Sequence, residues 1–473
     1  MKVLDKSAAR PGANEAPVLS IPGPRSREIF EHEQQYMAPG LQSIALYARL
    51  AMESGRGCTL TDVDGNEYLD FIAGVAVGSV GHSHPHYVKR IKEQVEKITF
   101  GSFTTPARAK FLEIVSGLLP GDISRVQLFS GGAEAVEAAF RLAKSATKKW
   151  EFVGFWGGYH GKTAGVVGLL GGSFRYHQGP FPPGMHLSPY ANCYRCPFNL
   201  TYGTCGIACA EHLRNVIKND TQGEVAGIIM EPMQGTSQGE VAGIIMEPMQ
   251  GTAGNVIPPD DFVHAVWQIA KETGAMMIAD EILTGFGRTG TMWAVDQYGV
   301  VPDIMTIGKG IGGGFPLSGV ASTDKIASSK PWADPSGSSS SYGGNPLAAA
   351  AGLGAVEAIL ADDLVANSAR VGKVLQDALR KLMDKYRFIG DVRGRGLMIG
   401  VELVADRKTK EPLDKKITQA LFQEALKRGL VTMSYSHVIR INPPLVITED
   451  EALRGADILD QSFAAIARTF NLD

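Results

Sequence analysis

Little in this 473-residue chain points to a charged or lipid partner. Its 46 Lys and Arg against 49 Asp and Glu leave a net charge of −3, which gives no reason to expect nucleic acid or an anionic membrane. Gly or Pro interrupts every apolar run before it reaches the roughly 18–20 residues that would span a bilayer. The opening stretch MKVLDKSAARPGANEAP carries charge and proline where a secretory signal needs an apolar segment, so the expected location is cytoplasmic. Cysteine is scarce: Cys58, then Cys193, Cys196, Cys205 and Cys209. The last four form C-x2-C-x8-C-x3-C, a spacing that matches no common zinc motif, across a short apolar loop. Reduced structural thiols, with no metal, are the expectation.

Glycine is abundant instead: 56 residues, about 12% against a usual ~7%. It concentrates at 72–175 and 285–354, between apolar runs and helix-like segments, which suits an α/β sheet whose loops hold a phosphorylated ligand. From 125 to about 325, strand-like runs (RVQLFS, EFVGFW, AGIIMEP, MMIADE, IMTIGK) alternate with helical ones (AEAVEAAFRLAKSA, DDFVHAVWQIAKET), which predicts a mostly parallel sheet. CTLTDVDGNEYLDF at 58–71 reads as a β-hairpin, YVKRIKEQVEKIT at 87–99 as an amphipathic helix, and the polar residues 1–35 as an arm. Beyond the serine run at 336–341, VRGRGLMIGVELV and HVIRINPPLVI suggest a smaller α+β unit.

Four positions carry chemistry. Lys309 ends the run IMTI and is followed by Gly310, Gly312, Gly313 and Gly314, with few charges nearby to pair with. A lysine so desolvated can form a Schiff base, although a lone lysine at a strand end is more often a surface residue. Asp280 closes the buried-looking strand MMIAD, where a carboxylate is costly without a positive partner such as a protonated ring nitrogen. Gly131-Gly132-Ala133 stands between a strand and a long helix, a natural anion cradle. Tyr159, in FWGGYHGKT, ends the next strand, where its ring could stack on a flat ligand.

Together these segments resemble the class III (ω-amino acid) aminotransferases, pyridoxal 5′-phosphate enzymes of fold type I. The resemblance runs from about Gly57 to Ile447. It is carried by LTDVDGNEYLDF, GHSHP, SGGAEAVEAA, YHGKT, EPMQG, IADEILTGFGRTG, PDIMTIGKGIGGGFPL, GGNPLAAAA, VRGRGLMIGVEL and RINPPLVIT. It implies an N-terminal arm plus part of the small domain at 1–74, a large cofactor domain at 75–335 and a C-terminal small domain at 336–473. It also implies that Lys309 is the Schiff-base lysine and proton shuttle, and that Asp280 holds the pyridine nitrogen. Tyr159 and Ile282 would face the two sides of the ring. Gly132 and Ala133 would bind phosphate, helped by Ser341 of the partner subunit in a homodimer. Gly131, His160, Glu247 and Gln250 complete the expected cofactor shell, and Arg440 would clamp a substrate carboxylate. The reaction so implied moves an amino group from an ω-amino acid, amino acid or amine to pyruvate or 2-oxoglutarate. A racemase or epimerase, or a decarboxylating transaminase, is the alternative within the family. Ser341 stands where the family has threonine, and Leu283 where it commonly has glutamine.

One stretch departs from any pattern. QGEVAGIIMEPMQGT occurs twice, at 222–236 and 238–252, separated by Ser237. A sheet has one slot for such a strand. The loop, helix and strand that follow fit the distance from Glu247 to Asp280, so the second copy is expected in the sheet and 222–237 outside it.

Overall fold

Strands buried on both faces need apolar side chains at every position, and helices must then cover both faces. The computed structural model, which describes residues 19–222 and 241–472, is built this way. Seven strands make the central sheet: β1 (Arg125–Phe129), β2 (Glu151–Phe155), β3 (Met185–Ser188), β4 (Val241–Met246), β5 (Met276–Asp280), β6 (Ile304–Ile307) and β7 (Ser318–Ser322). Their spatial order is β1-β7-β6-β5-β4-β2-β3. β6, β5, β4, β2 and β3 run parallel, and β7 is antiparallel to both β6 and β1.

β4 shows how the two faces are filled. Ala242 and Ile245 pack on one side with Val136, Ala139 and Leu142 of α1 (Gly132–Thr147). Ile244 and Met246 pack on the other with Leu213 of α2 (Ala208–Asn219) and Phe262, Val266 and Ile269 of α3 (Asp260–Thr273). Six wholly buried residues in one strand remove a large apolar area from water, at roughly 25 cal/mol per Å². β4 belongs to the second copy of the duplicated stretch. Of the first copy, residues 223–236 lie outside the described residues, as does the placement expected for 222–237.

The predicted hairpin is present as Thr59–Asp62 paired antiparallel with Glu67–Asp70, and the expected helix runs over Pro85–Val95. The hairpin joins a four-stranded sheet whose last strand is Leu430–Val431, so the N- and C-terminal parts of the chain build one region together. Beside it a three-stranded antiparallel sheet forms from Ile389–Arg395, Met398–Leu403 and Val438–Ile441. Of the expected arm, residues 1–18 lie outside the described residues, and the described part carries the helix Pro24–Glu33. Among the described residues no helix is long and apolar enough to cross a membrane.

Candidate active site

In an open parallel sheet the loops after the carboxyl ends of the strands gather at one edge, and ligands bind there. β1 leads into Gly131, β2 into Tyr159 and His160, β4 into Glu247, β5 ends at Asp280, and β6 leads into Lys309. Gly131, Gly132, Ala133, Tyr159, His160, Glu247, Asp280, Ile282 and Lys309, all expected at the site, line one cavity of about 480 Å³. Leu283 and the segment Gly314–Leu317 add apolar wall.

The carboxylate of Asp280 is 3% exposed. Its Oδ2 lies 2.7 Å from Nδ1 of His160, and its Oδ1 accepts from Thr306 Oγ1 at 2.9 Å and from the Ile282 amide at 3.2 Å. Burial alone would lower the pKa of His160, but its hydrogen bond to Asp280 and the charges of Asp280 and Glu247 outweigh that and raise it. Glu247 is also buried; one oxygen accepts from the Tyr159 amide and the other from the Gly251 amide, both at 2.9 Å. Desolvation pushes its carboxyl upward. Among the described residues no Lys or Arg stands within ion-pair distance of either carboxylate.

Lys309 sits on the turn after β6 at φ +44°, left-handed backbone that a non-glycine residue adopts at a cost. It keeps some surface inside the cavity, yet desolvation lowers its pKa, with Asp280 and Glu247 opposing the shift and Arg440 and Arg288 assisting it. A less basic lysine has more of its amine free to attack a carbonyl.

Backbone donors face the same cavity. Gly131 caps α1, and Glu134 Oε2 takes the amides of Ser130 and Gly131 at 3.0 and 2.8 Å, leaving the next amides of the helix to a ligand. Ile282 is wedged between two glycines: a Cβ at Gly132 or Gly308 would stand 3.2 or 3.1 Å from its side chain. Tyr159 is half-buried and meets Phe174 edge-on at 5.6 Å.

Three expected residues lie apart from the cavity wall. Gln250 is buried behind it, donating to the Trp156 carbonyl at 3.0 Å. Arg440 is half-buried on Val438–Ile441, and the hydrogen bond of its guanidinium runs to the Gly251 carbonyl at 3.5 Å. Ser341 is exposed beside Tyr342, which is 75% exposed. Sequence reasoning missed Thr306 and the Gly314–Leu317 wall. Thr306 is one residue from the β6 end and lies opposite Asp280 on the neighbouring strand, a signal that appears only once β5 and β6 are known to be neighbours.

The site fits a flat, anionic cofactor that carries a basic ring nitrogen. It offers amides for a phosphate, walls for a ring, a buried carboxylate that meets an imidazole but no Lys or Arg, and a desolvated lysine. The class III aminotransferase family model matches residues 43–239 and 235–463, meeting at the junction of the two copies. The chain belongs to the class III aminotransferases, enzymes that work with pyridoxal 5′-phosphate.

This class III aminotransferase is 33% identical to a leucine/methionine racemase of Thermococcus litoralis over 449 residues, 93% of this chain and 96% of the relative. It is equally 33% identical to a 4-aminobutyrate aminotransferase of Escherichia coli over 450 residues, 93% and 98% of the two chains. Its fold matches an amine transaminase from an uncultivated Pseudomonas species at a TM-score of 0.83, with 28% identity and coverage of 91% and 98%.

Proposed function

We propose that this aminotransferase takes its amino group from an ω-amino acid whose carboxylate is held by Arg440, and passes it to a 2-oxo acid bound at the same guanidinium. Pyridoxal 5′-phosphate, when bound, supplies an aldehyde carbon that takes up amines and an electron-poor ring that stabilises charge on the substrate carbon. The residues divide the remaining work. Lys309 would hold the cofactor's aldehyde carbon, and its amine, when free, would take and return the proton at the carbon bearing the amino group. Asp280 would hold a proton on the ring nitrogen, and Thr306 and His160 hold the carboxylate in place. Gly132 and Ala133 bind phosphate through their amides, and Tyr159 and Ile282 confine the ring. Glu247 ties the Tyr159 loop to the Gly251 loop.

The observation that carries the assignment to Arg440 is its lack of a carboxylate partner. Among the described residues no Asp or Glu lies within ion-pair distance, and the guanidinium has been desolvated, which lowers its pKa. A charge placed so is kept for an incoming anion. Arg440→Ala should raise the KM for 2-oxo acids about 10–100-fold, the range of a lost charged hydrogen bond, and leave amines without a carboxylate as donors unaffected. Unchanged KM for every acid would remove the assignment.

The exposed Ser341 and Tyr342 support a homodimer in which this loop serves the neighbouring site; a cytoplasmic location and a chain divided at about residues 74 and 335 belong to the same proposal. The racemase among the relatives gives the second reading. Incubating a single enantiomer without 2-oxo acid separates the two, because a racemase inverts it and a transaminase stops after one half-reaction.

A further inference from the structure

The four late cysteines come from two segments with no helix or strand between them, yet they line a single cavity of about 20 Å³. A cavity of that size has room for roughly one water-sized particle. Its remaining wall is largely apolar, including Phe198, Leu200, Ile207 and Pro259, with no Asp, Glu or His. A water there would lack the partners it needs, whereas a soft cation would have four cysteines bordering the same cavity. Cys193 and Cys196 flank a tight turn closed by the Arg195 amide on the Asn192 carbonyl at 3.1 Å. Cys209 lies in the first turn of α2 and Cys205 just before it. Sγ of Cys196 already accepts the Leu200 amide at 3.4 Å, the kind of backbone bond that steadies a metal-bound sulfur.

The same segment carries weight elsewhere. Tyr194 and Arg195, between the first two cysteines, dock on the small antiparallel sheet: Arg195 Nε donates to Glu402 at 2.6 Å, and Lys410 lies over the Tyr194 ring. A run of nearly twenty residues without regular structure needs something to hold it.

We propose that Cys193, Cys196, Cys205 and Cys209 are the ligands of one soft divalent cation of the zinc class, a structural site that fastens residues 189–207 to α2. All four are free thiols in the structure, and among the described residues no three ligand side chains are yet arranged to hold a metal. The proposal requires the four thiols to draw together as the ion binds, as metal sites coupled to local folding do.

The test uses the full-length holoenzyme, stripped with a chelator and titrated with Co²⁺. The expected result is one equivalent bound per chain, with a sulfur-to-cobalt charge-transfer band and protection of four thiols from a thiol reagent. Cys193→Ser combined with Cys209→Ser should lose the band and the equivalent, and Cys58→Ser should keep both. Protection of the wild-type thiols does not depend on how the double variant folds. No charge-transfer band, no protection, or unchanged binding by the double variant would overturn the proposal.

Discussion

Two buried groups of charge stand on either side of the loop from Glu247 to Val256, and they are finished differently. On the side of the three-stranded sheet Glu402, 2% exposed, accepts from Arg195 and forms an ion pair with Arg393 at 2.8 Å. Arg393 also pairs with Asp391 at 2.8 Å and donates to the Gly254 and Asn255 carbonyls. Every charge there meets its opposite within the chain. On the cavity side, Asp280 and Glu247 are held by amides, a hydroxyl and one imidazole, and Lys309 has no carboxylate ion pair among the described residues. Burial costs are similar in kind on both sides. A closed network fixes structure; an open one is completed by the charges of a ligand.

If that contrast is correct, breaking each side should fail in a different way. Lys309→Ala should cut turnover by about 10⁴-fold or more while the melting temperature of the cofactor-free protein changes little, because no internal partner is orphaned. Arg393→Ala should do the reverse. Removing one partner of a buried pair leaves Glu402 short of a charge and costs about 3–5 kcal/mol of stability, read by denaturant unfolding. A variant that melts normally and loses only activity would erase the distinction between the two groups.

The open side was more legible in the sequence than the closed one. Lys309 and Asp280 announce themselves because each ends an apolar run, and strands such as MMIAD and IMTI are buried and mostly apolar, as a doubly covered sheet requires. β3 and β7, MHLS and SGVAS, are short and partly polar, and their strand character comes from neighbours distant in the chain. The antiparallel setting of β7 was equally hidden. Arg195 and Glu402 are 207 positions apart, and nothing local in CYRCPF says that its arginine will be buried against a strand of another sheet. Charges reserved for a ligand leave a local mark at strand ends, while charges that satisfy each other are recorded only in the tertiary structure.

The smallest expected effect belongs to the duplicated stretch. β4 is supplied by the second copy, so excising 222–237 should leave a folded enzyme with activity within about two-fold of the full chain. The helix that ends at Asn219 would then lead to Gln238 in place of Gln222, and the Gln222 amide bond to Glu151 at 2.9 Å can form again with the same residue type. Loss of activity on excision, with Glu247→Ala tolerated, would mean that the first copy supplies the working residues.

The most direct test of the open side is chemical. Borohydride reduction of the holoenzyme fixes the cofactor to whichever amine holds it, and peptide mass spectrometry then locates the phosphopyridoxyl group. The account predicts one modified residue, Lys309. Modification of Lys162, which lines the same cavity, or of any other lysine in preference to Lys309, would contradict it.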